Sequence, residues 1–123
     1  MARILVIDDE PQIRLILENI LTRDGHQVDL AENGKIGLKM FEINAYDLLI
    51  TDIVMPEQDG IEVIMAISKK TPRLKVIAIS GGSLRLDQDN LLLIARALRV
   101  QEVLKKPINY ELLLTTVHNV LAS

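Results

Sequence analysis

Arg3-Ile4-Leu5-Val6-Ile7-Asp8-Asp9-Glu10-Pro11 is the stretch on which the fold turns. Ile4 to Ile7 is a continuous apolar run, too short for a helix of its own and bounded by charge. A run of that kind reads as a strand covered on both faces. It stops at three acids, and Pro11 follows them. Proline suits the first turn of a helix, where its missing N–H is not needed. From there Ile13, Ile16, Leu17, Ile20 and Leu21 recur at the spacing of one helix face, until Asp24-Gly25 stops the pattern. Strand, acidic end, helix is the first unit, and the rest of the chain repeats it.

Residues 27–31 alternate, with Val28 and Leu30 on one face, and Asn33-Gly34 is a turn signal. A helix then carries Ile36, Leu38, Met40, Phe41 and Ile43. Residues 46–51 form a third strand around Leu48-Leu49-Ile50 and end at Asp52. Pro56 and Gly60 mark a loop over 54–60, after which Ile61, Ile64, Met65 and Ser68 give helical spacing. A fourth strand over 74–80 leads into Gly81-Gly82-Ser83, a helix over 86–98 and a short fifth strand over 102–105. Pro107 breaks it, and Asn109 can cap a last helix striped by Leu113, Val117, Val120 and Leu121. Strict alternation of strand and helix means a parallel sheet with right-handed crossovers. The expected fold is α/β: five parallel strands in the order 2-1-3-4-5, a flavodoxin-like (βα)5 three-layer sandwich, with residues 1–123 as one domain.

Composition narrows the rest. About half the residues are apolar, enough for a real core, but only Phe41, Tyr46 and Tyr110 are aromatic, so Ile, Leu, Val and Ala must build it. With no cysteine, disulfides and thiolate metal sites are excluded, as suits a reducing, cytoplasmic setting. No apolar run reaches a membrane span, and Met1-Ala2-Arg3 runs straight into the first strand, so neither membrane insertion nor a signal peptide is expected. A net charge of −3 argues against direct binding of nucleic acid.

In a parallel α/β sheet, ligands bind beyond the carboxyl ends of the strands. Strand one ends in Asp8 and Asp9, strand three in Asp52, strand four in Ser80 and strand five in Lys105-Lys106. Taken singly, each is an ordinary cap or loop residue. Taken together, in the order 2-1-3-4-5, they converge on one cleft. Clustered carboxylates favour a hard cation with oxygen ligands, typically Mg²⁺. One carboxylate could attack a phosphoryl group and form an acyl phosphate, with metal, hydroxyl and ammonium on the phosphoryl oxygens.

These residues and their surroundings make the chain resemble the response-regulator receiver family of two-component signalling, including its single-domain chemotaxis receivers. The matching segments are Ile4 to Glu10, Ala31-Glu32-Asn33-Gly34, Asp52-Ile53-Val54-Met55-Pro56 with Gly60, Ser80, and Lys106-Pro107. The resemblance implies that Asp52 accepts a phosphoryl group from a sensor histidine kinase or histidine phosphotransfer protein and that the domain then switches a downstream output protein. It implies Mg²⁺ held directly by Asp9, Asp52 and the Val54 carbonyl, with Asp8 acting through a water. It implies that Ser80 bonds a phosphoryl oxygen, and that Lys106, rather than Lys105, pairs with the site from a cis Lys106-Pro107 peptide. It also implies a signalling domain, not an enzyme turning over a substrate.

Two departures stand out. The family's aromatic switch position, three before the lysine, is Val103, so the response is expected in the loop over 81–89. The stretch from Ser80 to Lys106 is also longer than in the chemotaxis receiver. Other readings fit less well. An aspartyl-phosphate phosphatase carries a second acid two residues after its nucleophile, and here that position is Val54. A nucleotide-binding module wants a glycine-rich phosphate loop after strand one, and none is present. A non-phosphorylated interaction receiver would not need the intact acidic set. Leu15, off the apolar stripe near the cleft, is a candidate kinase contact, although a singly exposed leucine is normal. The Gly81-Gly82 pair reads as a flexible loop start, and His26 and His118 as solvated surface residues away from the cleft.

Overall fold

The computed structural model describes residues 1–53, 60–81, 93 and 96–123. Strands β1 (Arg3–Ile7), β2 (Gln27–Ala31), β3 (Leu48–Asp52), β4 (Lys75–Ser80) and β5 (Glu102–Lys105) form one parallel sheet ordered β2-β1-β3-β4-β5. The helices are α1 (Pro11–Arg23), α2 (Gly34–Ile43), α3 (Gly60–Lys70) and a C-terminal helix (Tyr110–Ala122). Helical backbone at 93 and 96–98 belongs to the crossover between β4 and β5.

Period two in the central strands divides the core between the two faces of the sheet. Ile4, Val6, Leu48, Ile50, Ile77 and Ile79 point to one face, under Leu17 and Leu21 of α1 and Leu113 and Val117 of the C-terminal helix. Leu5, Ile7, Leu49, Val76 and Ala78 point to the other, under Val63, Ile64 and Ile67 of α3, with Ile36, Met40 and Phe41 of α2 beside them. Every residue of β3 is buried, which explains why its sequence does not alternate. Leu98 packs on the second face and carries the fourth crossover there.

Several local expectations need correction. The α3 stripe is Val63, Ile64 and Ile67, whereas Met65 is 56% exposed and Ser68 is exposed. Val63 and Ile67 lie one turn apart and give a wholly apolar line, while the expected stripe needed a serine as its fourth member. Ile43 is 82% exposed at the end of α2. Asn33 lies in the bend between β2 and α2, but Gly34 is already the first helical residue, and Asn33 Oδ1 accepts from Ile36 N at 2.9 Å and caps α2. The third strand begins at Leu48, not at residue 46. Tyr46 instead tucks its ring beneath Arg3 and donates from its hydroxyl to Asp29 Oδ2 at 2.7 Å.

Glycine has a packing role at Gly37, where a Cβ would overlap Ile7 Cδ1. Its absence lets α2 lie close against β1. Among the described residues no helix is long and apolar enough to cross a membrane.

Candidate functional site

Strand pleat decides which side chains meet at the carboxyl ends. Asp8 continues the parity of Ile4 and Val6, and Asp52 that of Leu48 and Ile50, so both carboxylates rise on the α1 face. In β5, Leu104 packs on that face and Val103 on the other. Two residues beyond Leu104 is Lys106, so Lys106 shares the carboxylate face and Lys105 does not. The backbone holds this register past the strand end, where Lys106 N donates to Ser80 O at 2.8 Å. The Lys106-Pro107 peptide is cis.

Gly81 makes room for the lysine. A Cβ there would overlap Lys106 Cδ and stand 3.0 Å from its Cγ and 3.2 Å from its Cβ. The first glycine of the pair is therefore clearance for the lysine stem, a role its reading as a loop start did not include. Gly82 lies outside the described residues.

Lys106 Nζ sits 3.0 Å from Asp52 Oδ2, 3.1 Å from Asp8 Oδ2 and 3.0 Å from Glu10 Oε1. Asp8 is fully buried, Asp52 and Ser80 nearly so, and the Lys106 side chain is 11% exposed. Glu10 is exposed. Its backbone N donates to Asp8 Oδ1 at 2.8 Å. On the other side, Arg14 Nη1 donates to the Asp8 carbonyl at 2.7 Å.

These contacts set the charges. Loss of water pushes the Asp8 pKa above the usual carboxylate value, and the hydrogen bonds from Glu10 N and Lys106 offset this only in part. Burial alone would lower the Lys106 pKa, but its hydrogen bonds to Asp52, Glu10 and Asp8 together hold it above the usual lysine value. The lysine stays charged, and the most buried acid bears the desolvation cost.

The donor set suits a hard divalent cation. One carboxylate oxygen from each of Asp8, Asp9, Glu10 and Asp52 lies within 4.8 Å of the others. Asp8 Oδ2 is buried and accepts no hydrogen bond of good geometry, even with Lys106 Nζ nearby. A buried, unsatisfied carboxylate oxygen is the kind of group that a metal-bound water completes. The Val54 carbonyl, the segment through Pro56 and most of the 81–89 loop lie outside the described residues.

A second cluster was missed. His26 is not solvated: its side chain is 8% exposed, and its Nδ1 accepts from Ala2 N at 3.1 Å. Nε2 must then carry the proton, which it donates to Asp24 Oδ2 at 3.0 Å. His118 Nε2 reaches the same oxygen at 2.7 Å, from a side chain 58% exposed. Asp24, His26 and His118 have the composition of a metal site. The Ala2 N–H rules out that use in this arrangement, because it occupies the one lone pair of a neutral His26. The cluster is a clasp joining the end of α1, the start of β2 and the C-terminal helix. His118, as expected, stays on the surface, and both rings lie away from the cleft.

Comparison with known proteins agrees with the geometry. The family model described as response regulator receiver domain matches residues 4–118. Protein PilH of Pseudomonas aeruginosa is 34% identical over 124 residues, spanning 99% of each chain. A crystal structure of a response regulator receiver domain protein from Clostridium thermocellum superposes with a TM-score of 0.85 at 34% identity, covering 99% of this chain and 95% of that one. The response regulator TrrA from Thermotoga maritima, in complex with Mg²⁺-BeF, gives 0.82 at 38% identity, covering 98% of this chain and 99% of that one.

Proposed function

Because this chain belongs to the response-regulator receiver family, we propose that it is the phosphoacceptor of a two-component pathway, with Asp52 as the residue phosphorylated. The donor is a sensor histidine kinase or a histidine phosphotransfer protein, and the change of charge at Asp52 alters the binding of a downstream output protein. The observation that carries this reading is the ammonium of Lys106, 3.0 Å from Asp52 Oδ2 and 3.1 Å from the buried Asp8. A carboxylate at the end of a fully buried strand, facing a cation that can pass to a phosphoryl oxygen, is placed to attack phosphorus.

In the proposed reaction an Asp52 carboxylate oxygen attacks phosphorus, and the bond from phosphorus to the donor's nitrogen or oxygen breaks. The leaving group departs with that electron pair, and Asp52 carries an acyl phosphate. Lys106 then moves from carboxylate to phosphoryl oxygen, a charge-assisted bond of the same type. Ser80, at the end of the neighbouring strand, offers its hydroxyl to another phosphoryl oxygen. Asp9 and Asp52 would hold Mg²⁺ directly with the Val54 carbonyl, and Asp8 would act through a water. Bound there, Mg²⁺ supplies neutralisation of the charge that builds on the phosphoryl oxygens. Water then hydrolyses the acyl phosphate and resets the domain.

Incubation with acetyl phosphate and Mg²⁺, followed by intact mass measurement, tests the reading. Wild type should gain one phosphoryl group and Asp52→Asn none. Equal labelling of the two proteins would refute Asp52 as the acceptor, and no labelling of either would refute the function.

A further inference from the structure

Lys106 has a third carboxylate partner that the phosphoryl reaction above does not use. Glu10 Oε1 is as close to its ammonium as Asp52 Oδ2 is, both at 3.0 Å. Glu10 occupies the N-cap position of α1, in extended backbone, yet its side chain makes no capping hydrogen bond. Its backbone is pinned, because Glu10 N donates to Asp8 Oδ1 at 2.8 Å. The arm therefore starts from a fixed point beside the most buried acid and reaches to the lysine rather than to the helix end.

Stability does not account for this contact. The Glu10 side chain is 56% exposed, and an ion pair with one partner in water contributes little to folding. Its difference from the other two partners is freedom. Asp8 and Asp52 are buried at strand ends and have nowhere to go. Glu10 can swing into solvent at little cost. An ammonium has three N–H donors, and here three carboxylates claim them, Asp8 through its Oδ1 at 3.4 Å. A phosphoryl group on Asp52 needs one of those donors, and Glu10 is the partner able to give it up.

We propose that Glu10 is a positioning residue, which holds the Lys106 ammonium at the mouth of the cleft and releases it when a phosphoryl group arrives on Asp52. The proposal rests on the phosphoacceptor reading. Two consequences follow. The Glu10 charge opposes entry of an anionic donor, and it competes with the phosphoryl oxygens for Lys106. Removing that charge should speed phosphorylation.

Three variants and two readouts test this. Glu10→Gln removes the charge and keeps the shape. Glu10→Asp keeps the charge and shortens the arm, so that it no longer reaches Nζ. Glu42→Gln makes the same change of net charge at the exposed Glu42–Lys70 pair on α2 and α3, where the ions are 3.1 Å apart. With acetyl phosphate and Mg²⁺, Glu10→Gln should label about threefold to tenfold faster than wild type. That is the scale of one unit charge acting over several ångströms in a high effective dielectric. The gain should appear as a lower donor concentration for half-maximal rate, and Glu42→Gln should match wild type. The second readout needs no phosphorylation: hydrogen exchange of the Lys106 ammonium, followed by NMR in chelator. Exchange should quicken severalfold in both Glu10 variants and stay unchanged in Glu42→Gln, while labelling of Glu10→Asp should fall between wild type and Glu10→Gln, because its competition for Lys106 is gone and its charge remains. Labelling of Glu10→Gln at the wild-type rate, or unchanged ammonium exchange in both Glu10 variants, overturns the proposal and leaves the phosphoacceptor reading standing. A wild type that does not label at all overturns both.

Discussion

Each end of the sheet sets a carboxylate against basic side chains, and the two carboxylates respond in opposite directions. At the carboxyl ends of the strands, Asp8 is fully buried, and loss of water raises its pKa in spite of Lys106. At the amino ends, Asp24 lies where water still reaches. There the hydrogen bond from His118 is the largest influence and, with His26 adding to it, holds the Asp24 pKa below the usual value. Burial outweighs pairing at the first pole, and pairing outweighs burial at the second. The linkage follows from those directions. A raised folded-state pKa means that ionised Asp8 costs stability, and the cost grows as pH rises from its unfolded value of 3.8 through its folded value. A lowered one means that ionised Asp24 contributes stability above pH 3.8, which is lost as pH falls through the folded value. One pole holds a charge at a disadvantage, which a bound cation can relieve. The other is a fastening.

The contrast is broken most severely by removing its central cation. Lys106→Ala leaves Asp8 buried beside Asp52 with no ammonium between them. Stranding one member of a buried pair costs about 3 kcal/mol, and urea midpoints at pH 7 in chelator should show a loss of that size. Lys105→Ala, on the opposite pleat, should cost less than about 0.5 kcal/mol. The Lys106→Ala loss should shrink as pH is lowered and Asp8 takes up a proton. A loss independent of pH would mean that the lysine stem, not its charge, supports the site.

Supplying a different cation should act in the other direction. Mg²⁺ at about a hundred times its Kd stabilises a protein that binds it only when folded by about 2.7 kcal/mol. Wild type should gain on that scale, and Asp9→Ala far less, because a direct ligand is gone. In chelator the order reverses, and Asp9→Ala should exceed wild type by about 1 kcal/mol through relief of like-charge repulsion. Urea midpoints at fixed ionic strength measure both. If Mg²⁺ left wild type unmoved, the crowded acids would not be a metal site.

A smaller effect is expected from crowding the lysine. Gly81→Ala puts a methyl against Lys106 along its stem as far back as Cβ, so one torsion change does not free it. Overpacking of this kind costs about 1–2 kcal/mol. Labelling by acetyl phosphate should slow as well, which an effect on folding alone would not produce. A Gly81→Ala variant with wild-type stability and labelling would show that Lys106 is not confined.

What the sequence made legible was whatever repeats with a period. The runs at Ile4 to Ile7 and Leu48 to Ile50, and the stripe from Ile13 to Leu21, located the sheet and α1, and the strand-end acids located the cleft. The choice of Lys106 over Lys105 came from resemblance, yet the pleat explains it: Leu104 fixes the face, and the lysine two residues on must share it. What stayed hidden depends on contacts between distant segments. Glu10 looked like one more acid at a helix start, because nothing local shows that its arm turns to Lys106, 96 residues away. Gly81 acquires its meaning only once β4 and β5 are in register. His26 reads as polar and therefore exposed, until Ala2 N is found against its ring.

The fastening at the amino-end pole gives the smallest and sharpest test, because its pH dependence has a predicted sign. His118 donates to Asp24 from a side chain more than half exposed, so deleting it should cost only about 0.5 kcal/mol at neutral pH, the scale of a surface pair. His118→Ala should show that deficit above the unfolded carboxylate value of 3.8. The deficit should shrink as pH falls below that value and vanish once Asp24 is protonated in folded and unfolded chains alike. Only the difference between variant and wild type is needed, since the other carboxylates titrate in both. High salt should reduce it too, because the pair is open to solvent. Asp8→Asn runs the same experiment at the other pole with the opposite sign. It should raise stability at neutral pH in chelator, and the gain should fade, not grow, as acid protonates wild-type Asp8. If the two variants moved stability in the same direction at neutral pH, pairing and burial would not be dividing the two ends of the sheet, and the readiness of the cleft would need another cause.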